Sequence, residues 1–114
     1  MSDVPLRQVR SLVLEDPDGT SRRWRFQYAK KVLYQGKEWG GLCVNGQRLI
    51  RFCTLISRRR AIEVRIHEGL HQTYPDLTED AVKRGEDNLM KLLEASGALA
   101  LPPKRLVRPP KRRR

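Results

Sequence analysis

The sequence predicts an α+β domain: a small antiparallel sheet of three or four strands packed on two helices, followed by a disordered basic tail. Three observations carry that expectation. Short apolar runs separated by turn signals occupy the first half of the 114 residues. Apolar residues at helical spacing occupy the second half. Residues 102–114 hold four prolines, seven Lys or Arg and no acid. The expected division is one domain over 1–101 and a tail over 102–114.

The strands come first. Val9 to Leu14 runs into Asp16-Pro17-Asp18-Gly19, a strong turn signal. Trp24, Phe26 and Tyr28 then alternate with Arg25 and Gln27, the period of a strand with one dry face. Val32-Leu33-Tyr34 ends at Gln35-Gly36, a second turn. Leu42-Cys43-Val44 meets Asn45-Gly46, a pair that tolerates the positive φ of a type I′ hairpin turn. Arg48 to Phe52 is the expected returning strand.

The helices follow. Ser57 is the expected N-cap of the first, with Ile62, Ile66, Leu70 and Tyr74 four apart along one face. Pro75 ends it, because the residue before a proline is driven out of the helical region. Thr78 caps the second, with Glu79 and Asp80 in its first turn, where acids suit the helix dipole. Val82, Leu89 and Leu93 form its apolar stripe, and Gly97 closes it.

Charge splits the chain in two. The 24 basic and 13 acidic residues give +11. Removing the tail's seven cations leaves a body at +4. No stretch approaches the roughly 18 apolar residues needed to span a bilayer, and no secretory signal core stands at the N-terminus. Cys43 and Cys53 are too few for a disulfide scaffold and lack the close pairing of a structural zinc site. They read as small buried hydrophobes in a reducing, cytoplasmic protein.

One motif carries chemistry. His67-Glu68-Gly69-Leu70-His71 is H-E-x-x-H, placed on the first predicted helix. Residues four apart lie one turn apart on nearly one face, so both imidazoles can bind one Zn²⁺ at roughly 2.0–2.1 Å. Glu68 then faces the open side of the metal, where it can act as general base on an activated water. Such a motif arises by chance in roughly a few per thousand chains this short. The chain has two histidines and both lie in it.

A catalytic zinc needs a third protein ligand. Position 77 is Leu, which excludes the pattern with a third histidine six residues on. With a link as short as Pro75-Asp76-Leu77, the helices run antiparallel, and Glu79 falls at the height of His71. Asp80 is the alternative, about 100° further round, and Glu86 lies about 10 Å further along the axis.

Ile66 to His71, followed by Tyr74-Pro-Asp-Leu-Thr-Glu-Asp-Ala-Val82, resembles small zincin-type metallopeptidases encoded by phages and some bacteria. The likeness is specific over 66–82 and loose over the rest of Trp24 to Gly97. It implies a minimal gluzincin-like fold, a zinc cofactor, a protein or peptide substrate, and the host cytoplasm for a phage-encoded chain.

Other features of the sequence also bear on function. Arg48 to Phe52 is the candidate edge strand that would pair with extended substrate. Tyr74 reads as core or cap more readily than as an oxyanion donor. Arg58-Arg59-Arg60 opposes the dipole of the helix it starts, which leaves room for a phosphate partner. The tail cations Lys104, Arg105, Arg108, Lys111, Arg112, Arg113 and Arg114 are candidate contacts to DNA or RNA without sequence reading. The rival expectation is therefore a small basic nucleic-acid-binding protein in which H-E-x-x-H is structural or degenerate.

Overall fold

A computed structural model describes residues 8–99. The tail, with its seven candidate nucleic-acid contacts, lies outside the described residues. The architecture is α+β: a four-stranded mixed sheet and a small two-stranded hairpin, packed against two helices. The strands are β1 (Ser11–Glu15), β2 (Ser21–Ala29), β3 (Val32–Tyr34), β4 (Lys37–Trp39), β5 (Gly41–Val44) and β6 (Leu49–Cys53). The helices are α1 (Arg58–Thr73) and α2 (Glu79–Ala95).

The sheet order is β1-β2-β6-β5, with β3 and β4 forming the separate hairpin. β1 pairs antiparallel with β2, and β5 with β6, as the turn signals predict. β2 and β6 pair in parallel, Phe26 beside Ile50 and Tyr28 beside Phe52. That corrects the purely antiparallel expectation. It also corrects the edge: β6 is internal, and the edge strands of this sheet are β1 and β5. A local turn signal specifies its own hairpin and says nothing of how two hairpins join.

The turns exchange roles. Gln35 and Gly36 both take positive φ, +52° and +75°, which a type I′ turn requires. Asn45-Gly46 instead begins a 3-10 turn, and Arg48 takes the left-handed conformation. The physical reason lies in Asn45, whose side-chain amide donates to the backbone carbonyl of His71 at 3.3 Å. The β5–β6 loop is thereby tied to the end of α1.

The core lies between the sheet and α1. Trp24, Ile50, Phe52 and Val64 form its buried cluster, with Leu14, Phe26, Tyr28 and Cys43 packed around them. Truncating Trp24 to alanine would cost about 3–5 kcal/mol. α1 presents Val64, Glu68 and Gln72 as its buried line, rather than the predicted Ile62–Ile66–Leu70–Tyr74 stripe, which is half-buried apart from an exposed Tyr74. Gln72 Nε2 donates to the Glu15 carbonyl at 3.0 Å, which explains a polar residue in that line. α2 buries Val82, Glu86 and Met90, while Leu89 is exposed.

Both N-caps hold. The Ser57 side chain accepts from the Arg60 N–H, and Thr78 from the Ala81 N–H. Tyr74 is the C-cap of α1. Gly97, at φ +81°, follows the α2 C-cap Ser96. Arg59 meets Glu94 at 3.1 Å and Arg60 meets Glu63 at 3.3 Å, so these arginines have acid partners in place of a phosphate. Among the described residues, no helix is long and apolar enough to cross a membrane.

Candidate metal centre

Partners along the two helices run in opposite order: Arg59 with Glu94, His67 with Glu86, His71 with Glu79. The helices are therefore antiparallel, and the first turn of α2 reaches the last turn of α1. Gly85 permits the approach, since a Cβ there would lie 3.0 Å from Leu70 Cδ1.

His67 and His71 turn their Nε2 atoms toward one point, 3.2 Å apart. The Glu79 carboxylate closes the group, with Oε1 at 2.7 Å from His67 Nε2 and Oε2 at 3.1 Å from His71 Nε2. One ligand atom from each of the three residues falls within 4.8 Å of the others, a set that can hold a metal ion. Ligands at zinc distances in a tetrahedron stand about 3.3 Å apart. Two of the three separations are near that value. Glu79 is exposed, so its carboxylate can withdraw the remaining half-ångström or so. Asp80, the alternative ligand, stands outside this donor set.

Glu86 is what the sequence reading passed over. It is 1% exposed, and its Oε1 sits 2.9 Å from His67 Nδ1. A carboxylate there selects the tautomer with the proton on Nδ1 and leaves the Nε2 lone pair aimed at the metal position. Its buried charge is met by Lys83 at 3.0 Å and Arg60 at 3.9 Å. A signal did exist in the sequence. Glu79 and Glu86 are seven apart, which puts both on one face of α2.

Glu68 lies against the sheet edge and is buried. That burial pushes its carboxyl up to about 7, helped by the nearby Glu79 charge. His67, the Cys43 backbone N–H and Arg60 oppose the shift. Gly40 and Gly41 allow this contact between strand and helix. A Cβ at Gly41 would lie 2.5 Å from Val64 Cγ1 and 3.1 Å from Glu68 Cγ.

No known family profile, curated protein or solved structure matches this chain. The site therefore rests on its own chemistry. A cleft of about 370 Å³ opens over it, bounded by β5, by the two histidines with Glu68 and Glu79, and by Tyr34 and Trp39 of the hairpin. Cys43 lines the same cleft, but burial and the Glu68 charge push its thiol up to about 12. It stands outside the donor set formed by His67, His71 and Glu79. Cys53, at the end of internal strand β6, donates to the Lys30 carbonyl.

Proposed function

We propose that this chain is a zinc-dependent metallopeptidase of zincin type. The observation that carries the reading is the meeting of His67, His71 and Glu79 at one point, with Glu68 buried beside it in an open cleft. Two imidazoles and one carboxylate form a donor set suited to zinc with a position left for solvent or substrate. Zinc held there would supply Lewis acidity and lower the pKa of water toward about 7.

The chain's own residues do the rest. Glu86 holds the His67 ring in one tautomer and one orientation. The Cys43 N–H holds the Glu68 carboxylate in place, where it takes a proton from the attacking water and delivers it to the leaving amine. β5 is the free edge of the sheet along this cleft, so an extended peptide can add to it as a further strand. Tyr34 and Trp39, both large and exposed, give the cleft an apolar wall for a substrate side chain.

The test is metal content and cleavage measured together. Chelator-washed protein reloaded with zinc should hold about one ion per chain by plasma mass spectrometry. His67→Ala should hold less than about 0.2. Glu68→Gln should keep its zinc and lose hydrolysis of a denatured protein substrate. Retention of full hydrolysis by Glu68→Gln would refute the assigned chemistry, and the same low zinc in both wild type and His67→Ala would refute the site.

A further inference from the structure

The face of the sheet turned away from α1 has no part in the metal centre, and its charge is unusual. Trp24, Phe26 and Tyr28 of β2 point to the core side. By strand alternation Arg23, Arg25 and Gln27 point the other way. Arg51 of β6 stands beside Gln27 in the parallel register and shares that outer face. The only acid that the register of the four strands places on this face is Glu15, at the far end opposite Ser21. Arg23 and Arg25 are exposed, and Arg23 makes a hydrogen bond to Ser11 Oγ at 3.0 Å.

Among the described residues, Arg10, Arg23, Arg25 and Arg51 join no ion pair. That sets them apart from Arg22, Arg48, Arg59 and Arg60, each of which meets a carboxylate. A depression of about 610 Å³ lies at one end of the row, lined by Gln8, Arg10, Gln27 and Arg51 together with Phe26 and Tyr28 from the other side of β2. Arg51 Nε is buried there without a hydrogen-bond partner. A cationic donor left unmatched in a polar hollow is the complement of an anion.

We propose that this outer face is a nucleic-acid-binding surface that grips the phosphate backbone. The levels of Arg23, Arg25 and Arg51 follow one another along the strand direction at intervals of about 6.6 Å, so the charge is spread as a track rather than gathered at one point. A polymer with regularly repeated anions matches a track. A folded acidic protein would want a buried aromatic or aliphatic anchor at the centre of its interface. A membrane would want an apolar face to insert. On this face the apolar residues are interleaved with arginines instead, Val13 opposite Arg23, Leu49 beside Arg25 and Leu42 opposite Arg51. Backbone contacts of this kind position the protein without reading sequence.

The experiment uses the full chain, tail included, so that the tail contributes equally throughout. Binding to a fluorescein-labelled DNA duplex of random sequence is followed by anisotropy across salt concentration. Arg23→Gln/Arg25→Gln alters two exposed positions and should leave the far-UV spectrum and melting temperature unchanged. A control, Arg84→Gln/Lys91→Gln, removes the same charge from exposed positions on α2. The face variant should lower the slope of log K against log salt by about 2, and adding Arg51→Gln should lower it by about one more. The control should leave it near the wild-type value. An unchanged slope in the face variant, or an equal loss in the control, overturns the proposal. So does binding of polyglutamate or of anionic vesicles that is as tight as DNA and lost with the same residues.

Discussion

Two charged clusters lie against the C-terminal half of α1, and they are built on opposite principles. At Asp16, one carboxylate accepts from Trp24 Nε1 at 2.7 Å, Arg22 at 2.9 Å and Arg48 Nε at 2.9 Å. These donors hold its carboxyl well below the usual range, at about 2. At the candidate metal centre, two imidazole nitrogens and a carboxylate face each other, and a buried glutamate beside them is pushed upward to about 7. The first cluster is complete within the chain. The second has more acceptors than donors. That contrast separates a knot that fastens β1, β2 and β6 together from a cradle that calls for a cation.

The comparison can be broken most severely at the cradle. Glu68→Gln should reduce kcat on a peptide by roughly 10²–10⁴-fold with zinc retained, measured by cleavage and metal content on the same sample. Next comes Glu86→Gln, which removes the anchor of the His67 ring but donates nothing to metal. Zinc affinity by competition with a chromogenic chelator should fall about 10–100-fold. The knot answers to a different measurement. Asp16→Ala strands the indole N–H of buried Trp24, and a buried donor without an acceptor costs about 1–3 kcal/mol. Denaturant unfolding should show that loss while zinc affinity stays at the wild-type value.

pH sharpens the same distinction. The Asp16 carboxyl titrates lower folded than unfolded, so its contribution to stability is full above its ordinary value of 3.8. It fades as pH falls through about 2. Unfolding free energy measured across that window should fall in the wild type and be flatter in Asp16→Asn. The smallest expected effect is at Asp80. Asp80→Ala should leave zinc affinity unchanged and cost about 0.3–1 kcal/mol of helix-dipole interaction, read by thermal melting.

Some features were legible in the sequence and others were not, for physical reasons. His67, Glu68 and His71 were legible because a helix converts spacing of four directly into a shared face. Glu79 followed from the brevity of Pro75-Asp76-Leu77, which forces the second helix back along the first. Glu86 was measured only by its distance along α2. In an antiparallel pair, going back along α1 from His71 to His67 goes onward along α2 from Glu79 toward Glu86, and that brings Glu86 to the other nitrogen of His67. The parallel pairing of β2 with β6 was out of reach, since contacts between residues more than twenty apart leave no local spacing. The Gly40-Gly41 pair was a readable signal passed over. Two glycines at the start of a strand mark a close backbone approach.

The chain's two tryptophans fall one in each region. Trp24 is 1% exposed and locked to Asp16, whereas Trp39 is 45% exposed on the wall of the cleft and pinned through its indole N–H to the Tyr34 carbonyl. The protein thus carries two optical reporters with separate duties. Emission from the dry indole follows folding, and quenching of the wet one follows occupancy of the cleft. With Trp39→Phe as the reference, the difference spectrum isolates the cleft signal without any added label.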